Sequence, residues 1–120
     1  METLRFDWTG KYAVKKGGSY EARFTFTNSN GSSFNFTGCT GFSAVAKPGG
    51  RDIIATLPVT FTTPLASGIV KVNIPWSTLI SDYIEPGRYD WDLLVLLSNG
   101  DRWYAVEGDF MIKRSTSNAS

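Results

Sequence analysis

From Tyr20 to Thr27 apolar and polar side chains take turns, with Tyr20, Ala22, Phe24 and Phe26 set against Glu21, Arg23, Thr25 and Thr27. A period of two places the two sets on opposite sides of an extended backbone, so the segment predicts a strand with one buried face. Asn28-Ser29-Asn30-Gly31-Ser32-Ser33 follows. These residues tolerate positive φ or bond their own backbone, so the chain reverses there into Phe34 and Phe36.

Further strands are expected at about 42–47, 53–62, 69–74, 88–97 and 102–113, separated by Pro48-Gly49-Gly50, by 64–68 and by Asn99-Gly100. Pro58 interrupts the 53–62 run and marks an edge or a bulge, because proline has no N–H to give a central ladder. Lys15-Lys16-Gly17-Gly18-Ser19 lacks the full spacing of a phosphate loop and precedes a strand, so it reads as a tight turn. Between Pro75 and Pro86 the apolar residues Leu79, Ile80 and Ile84 recur at helical spacing, which predicts one short crossover helix over 75–84. The chain therefore reads as all-β, a single domain over 1–114 with a small, polar C-terminal tail at 115–120.

With 42% hydrophobic and 14% aromatic residues, 120 residues can bury a core without staples. A net charge of +1 with acids and bases interspersed gives no field to draw nucleic acid or anionic lipid. Cys39 is the only cysteine, so no internal disulfide forms and folding in a reducing cytoplasm is expected. Glu2, Arg5 and Asp7 interrupt the first eight residues, which carry no apolar run of the signal-peptide or membrane-spanning kind. The sequons at Asn30, Asn35 and Asn118 then report loop-like composition rather than glycosylation.

Asn-Gly between two β-rich runs is a strong hairpin signal. With Asn99 and Gly100 as the two central residues, Ser98 faces Asp101 and strict alternation sets the remaining pairs. One face pairs Tyr89 with Phe110, Trp91 with Gly108, Leu93 with Val106 and Val95 with Tyr104; it belongs to the core, and Gly108 leaves room for the indole. The other pairs Asp90 with Asp109, Asp92 with Glu107, Leu94 with Ala105 and Leu96 with Trp103. Facing carboxylates repel by tenths of a kcal/mol to about 1 kcal/mol. Arg23, Lys71 or another cation from an adjacent strand can offset this, as can a calcium ion held by Asp90, Asp92, Glu107 and Asp109, or a basic patch on another subunit. The apolar half, Leu94, Leu96, Trp103 and Ala105, needs a cover: either the N-terminal segment around Trp8 and Tyr12 or another chain. These eight residues are the candidate protein interface.

No catalytic, cofactor-binding or metal site is expected. Histidine is absent, so no serine nor Cys39 has an imidazole to activate it, and zinc lacks ligands. Asp92 with Glu107 is the pair a glycoside hydrolase would need. Trp8, Trp76 and Trp103 are the candidates for a sugar-stacking platform.

Lys16-Gly17-Gly18-Ser19-Tyr20, Asn28-Ser29-Asn30-Gly31 leading to Phe36-Thr37-Gly38-Cys39, Pro86-Gly87-Arg88-Tyr89-Asp90-Trp91-Asp92-Leu93, and Ser98-Asn99-Gly100-Asp101-Arg102 fall in an order and spacing that span nearly the whole chain. Together they resemble the small immunoglobulin-like β-sandwich domains of bacteriophage baseplate and tail proteins, of the upper-baseplate N-terminal-domain type. Phe36 stands where that family commonly has leucine, and the chain is longer around 58–64. The resemblance implies an immunoglobulin-like antiparallel β-sandwich and a structural, non-enzymatic virion protein. It implies assembly in the bacterial cytoplasm, as a homo-oligomer or with other phage structural proteins, without nucleic acid, membrane or cofactor. The alternative is a carbohydrate-binding or host-attachment module of a fibre or capsid decoration.

Overall fold

A computed structural model describes residues 2–49, 52–81 and 83–114; the expected tail at 115–120 lies outside them. Nine strands form among these residues: β1 Leu4–Arg5, β2 Val14–Lys15, β3 Tyr20–Thr25, β4 Thr40–Ala46, β5 Ile53–Leu57, β6 Val59–Phe61, β7 Ile69–Ile74, β8 Gly87–Leu96 and β9 Arg102–Lys113. One sheet runs β1-β9-β8-β4-β5, with β2 also on β9, and the other runs β3-β7-β6. The two N-terminal strands pair parallel with β9, and the remaining pairs are antiparallel. This is an immunoglobulin-like β-sandwich.

Alternation decides what lies between the sheets. Phe24 of β3, Val70, Val72 and Ile74 of β7, and Tyr89, Trp91, Leu93 and Val95 of β8 all point inward and are buried. Trp8, Phe36 and Phe110 join the same cluster. Pro58 lies where the chain leaves β5 in one sheet and enters β6 in the other; its carbonyl accepts Asn73 N–H of β7 at 3.0 Å, and the N–H it lacks is not asked of it there. The glycine turn before β3 closes through Gly18 N–H to the Lys15 carbonyl at 3.1 Å, with Gly17 at φ 86°.

The described residues of the crossover at 75–84 form no helix. They form successive tight turns, with Thr78 N–H donating to the Pro75 carbonyl and Ile84 N–H to the Ser81 carbonyl, each at 3.0 Å. Leu79 and Ile84 are nevertheless buried. Two turns suffice to drop both side chains onto the core while the chain passes from one sheet to the other. The only helical turns among the described residues are short 3₁₀ segments at Gly10–Tyr12 and Leu65–Ser67.

The β8–β9 hairpin keeps the expected register from Tyr89↔Phe110 to Leu93↔Val106 and then departs from it. Leu94 faces Tyr104, Val95 faces Trp103 and Leu96 faces Arg102. The loop holds three residues rather than two, because Leu97 N–H donates to the Asp101 carbonyl at 2.8 Å and Gly100 N–H to the Leu97 carbonyl at 2.9 Å. Gly100, at φ 92°, supplies the left-handed step such a loop requires. The extra loop residue shifts the ladder by one, and a bulge at Ala105-Val106 absorbs the shift. Both residues are fully buried, and alternation resumes with the opposite parity beyond them.

Gly108 stands opposite Trp91 as expected, but its open space serves another group. A Cβ there would lie 2.1 Å from the Phe6 carbonyl oxygen and 2.7 Å from Asp7 Oδ1. The N-terminal segment runs parallel beside β9 at this point, where the Phe6 carbonyl accepts the Trp91 indole N–H at 2.7 Å and Asp7 Oδ1 accepts Asp109 N–H at 2.9 Å.

Candidate protein-interaction face

The outward side of the larger sheet carries most of the expected interface, with two residues exchanged. The bulge turns Trp103 and Ala105 into the core, at 7% and 0% exposure, so neither belongs to a surface. Trp103 packs against Phe26 and Phe34 at ring-centroid distances of 5.0 and 5.3 Å, and its indole N–H donates to the Glu2 carbonyl at 2.9 Å. The N-terminal residue that reaches the tryptophan is Glu2, not the segment around Trp8 and Tyr12: Trp8 packs on Trp91 and Phe110 in the core, and Leu94 and Leu96 stay outward and half-buried.

Phe42 and Tyr104 take the vacated places. Both are cross-strand partners of Leu94, Phe42 from β4 and Tyr104 from β9, and they are 54% and 46% exposed. The result is a continuous outward row, Phe42-Leu94-Tyr104, with Leu96 beside it. Neither aromatic was legible as a surface residue. In the run 42–46, Phe-Ser-Ala-Val-Ala has no polar face to say which side looks out, and Trp103-Tyr104-Ala105-Val106 is apolar throughout.

Asp90, Asp92, Glu107 and Asp109 do come together on this face, through Asp90↔Asp109 and Asp92↔Glu107. The compensating cations are not Arg23 and Lys71, which lie on the other sheet and pair with Glu21 at 3.3 and 3.5 Å. Arg5 and Arg88 approach Asp109 at 3.4 and 3.3 Å, and Arg5 also meets Asp7 at 3.0 Å. Asp90 Oδ2 accepts the Gly49 N–H at 3.0 Å. Asp92 and Glu107 have no ion-pair partner among the described residues. Partial burial, and after it the Glu107 carboxylate, push the Asp92 carboxyl above its ordinary range.

These carboxylates border a shallow depression of about 410 Å³, with Ala44, Ala46 and Ile53 on its apolar side. It is open to solvent, unlike a cleft that encloses a substrate. Among the described residues no group of three or more Asp, Glu, Cys or His is placed to hold a metal ion. A larger opening of about 740 Å³ lies between the edges of β1 and β3, lined by Leu4, Thr25, Phe26, Phe34 and Trp103.

The three-tryptophan sugar platform does not assemble, because Trp8 and Trp103 are core residues and Trp76 alone of the three is exposed, at 54%. Tyr83, at 97%, is exposed in the same crossover.

Neither a protein-family model nor a curated protein matches the chain. Among solved structures the chain is similar to the crystal structure of the Lin-41 filamin domain, at 19% identity and a TM-score of 0.46, covering 86% of this chain and 84% of that one.

Proposed function

We propose that the chain is a non-enzymatic assembly module of a bacteriophage tail or baseplate, and that it docks onto neighbouring virion proteins through the outward face of its larger sheet. The observation that carries this reading is the row Phe42-Leu94-Tyr104, apolar side chains held outward on a sheet beside Asp92 and Glu107, which have no ion-pair partner among the described residues. Isolated exposed apolar residues are ordinary, whereas a contiguous row with a charged rim is the composition of a docking surface. Phenylalanine and tyrosine on either side of Leu94 supply large contact area with little rotamer entropy to lose. The virion setting is supported by the glycine turn, Gly-x-Tyr strand and Asn-Gly hairpin blocks that resemble phage baseplate domains. The half-exposed, unpaired Cys39 fits assembly in a reducing cytoplasm.

Purified particles of the phage encoding the chain provide the test. An antibody against the chain should label the tail, and the double variant Phe42→Asp/Tyr104→Asp should lower its incorporation at least about tenfold while leaving its thermal midpoint intact. Particles that lack the chain, or that take up the variant at the wild-type level, would overturn the reading.

A further inference from the structure

We infer that the docking face pairs with a second copy of the same chain, sheet on sheet, about a two-fold axis that crosses the strands at the Phe42-Leu94-Tyr104 row. The inference rests on the docking reading above and adds its occupant. Along β9 the outward residues run Arg102, Tyr104, Glu107; along β8 their partners are Leu96, Leu94, Asp92; along β4 they are Thr40, Phe42, Ala44. Rows on one face of a strand are about 7 Å apart. A cation therefore stands one row to one side of the apolar row, and two carboxylates stand one row to the other.

The bulge produces this spacing. Arg102 and Glu107 are five positions apart, an odd number that puts side chains on opposite faces of a regular strand. Inserting Ala105-Val106 as an inward pair brings both onto the outward face, equidistant from Tyr104. Both are exposed, and neither has an ion-pair partner among the described residues.

Charge then selects the orientation. With the two-fold axis along the strands, each row meets itself: over β9 this sets Arg102 on Arg102 and Glu107 on Glu107, and over β8 it sets Asp92 on Asp92 while Arg102 meets only Thr40, so in neither case do opposite charges meet. With the axis across the strands at the Tyr104 row, the aromatic rows still meet, but Arg102 of each copy faces Glu107 of the other, with Asp92 one strand aside. An isologous contact of this kind closes on itself as a dimer. A contact three strands wide is smaller than a standard interface, so its dissociation constant is expected on the order of tens of micromolar.

Sedimentation equilibrium of the purified chain, up to about 500 µM in low salt, reads this directly. The expected mass approaches twice the 13.2 kDa of the chain and falls back as salt is raised. R102E and E107R should each weaken self-association about tenfold or more, since each makes two like-charge contacts in the dimer. An equimolar mixture of the two variants should restore the dimer, because opposite charges then meet at both contacts, and the double variant R102E/E107R should restore it within one chain. Unchanged far-ultraviolet circular dichroism shows that each variant folds. A wild-type chain that stays monomeric, or a mixture no stronger than either variant alone, would overturn the inference. Self-association that fails while Phe42→Asp/Tyr104→Asp still lowers incorporation into particles sinks only the second copy as occupant; if that variant is also taken up normally, the docking reading falls with it.

Discussion

Gly108→Ala tests how the N-terminal segment is held. Gly108 has no left-handed φ, so alanine is compatible with its backbone and would otherwise stabilise by about 0.4–1 kcal/mol through the unfolded chain. The added methyl group, however, would sit 2.1 Å from the Phe6 carbonyl oxygen and 2.8 Å from its carbon, backbone atoms that can move only by lifting the segment off β9. Lifting it breaks the hydrogen bond from the Trp91 indole to the Phe6 carbonyl and the one from Asp109 N–H to Asp7, and loosens the bond from Phe6 N–H to the Glu107 carbonyl. A buried indole left without an acceptor costs about 1–3 kcal/mol, and each further bond about 1 kcal/mol. The sum less the gain is a loss of about 3 kcal/mol. At about 2.1 cal/mol/K of unfolding entropy per residue, that lowers the midpoint of this chain by roughly 12 °C. Thermal unfolding followed by tryptophan fluorescence, with urea titration to check that the slope is unchanged, measures it. A midpoint that stays within about 2 °C, or rises, would refute the close approach of the Phe6 carbonyl to Gly108.

Trp103→Ala should destabilise by about 3–5 kcal/mol in urea titration, as for a core tryptophan, whereas Leu96→Ser should cost less than about 1 kcal/mol; similar losses would contradict the bulge. Asp92→Asn should raise the midpoint at pH 7. A carboxyl whose folded pKa is raised binds its proton more tightly in the fold, so its charged form opposes folding at neutral pH. The advantage of asparagine should shrink as pH falls through the raised value and disappear below the ordinary 3.8; a gain that grows in acid would be inconsistent with the burial of Asp92. Iodide should quench the fluorescence of Trp76 and spare Trp8, Trp91 and Trp103, so Trp76→Phe should abolish the quenchable fraction. Persistent quenching would place one of the other three indoles at the surface.

The acidic ladder was legible because its five pairs, Tyr89↔Phe110 to Leu93↔Val106, follow from alternation once any one of them is set. Of its cations Arg88 lies in the same hairpin, but Arg5 reaches Asp109 only because the N-terminal strand lies parallel beside β9, a pairing between segments about a hundred residues apart that no local pattern encodes. The apolar half failed for a different reason. Two- and three-residue loops are both open to a chain reading Ser-Asn-Gly-Asp, and the four consecutive apolar residues 103–106 satisfy either register.

What the sequence determined by itself is therefore local: where strands run, where glycine and asparagine reverse the chain, that one cysteine and no histidine leave little chemistry, and which carboxylates face each other near Trp91. Helical spacing at Leu79, Ile80 and Ile84 misled because two tight turns bury Leu79 and Ile84 as well as a helix would. Tertiary structure decided the rest. Trp103 could be placed only by the competition between an outward position and the space between Phe26, Phe34 and the Glu2 carbonyl, which the one-residue bulge resolves in favour of the core. That same shift brings Tyr104 to the surface and sets Arg102 and Glu107 on one face, because parity along a strand is a local rule while the place where parity changes depends on what the two sheets can bury between them.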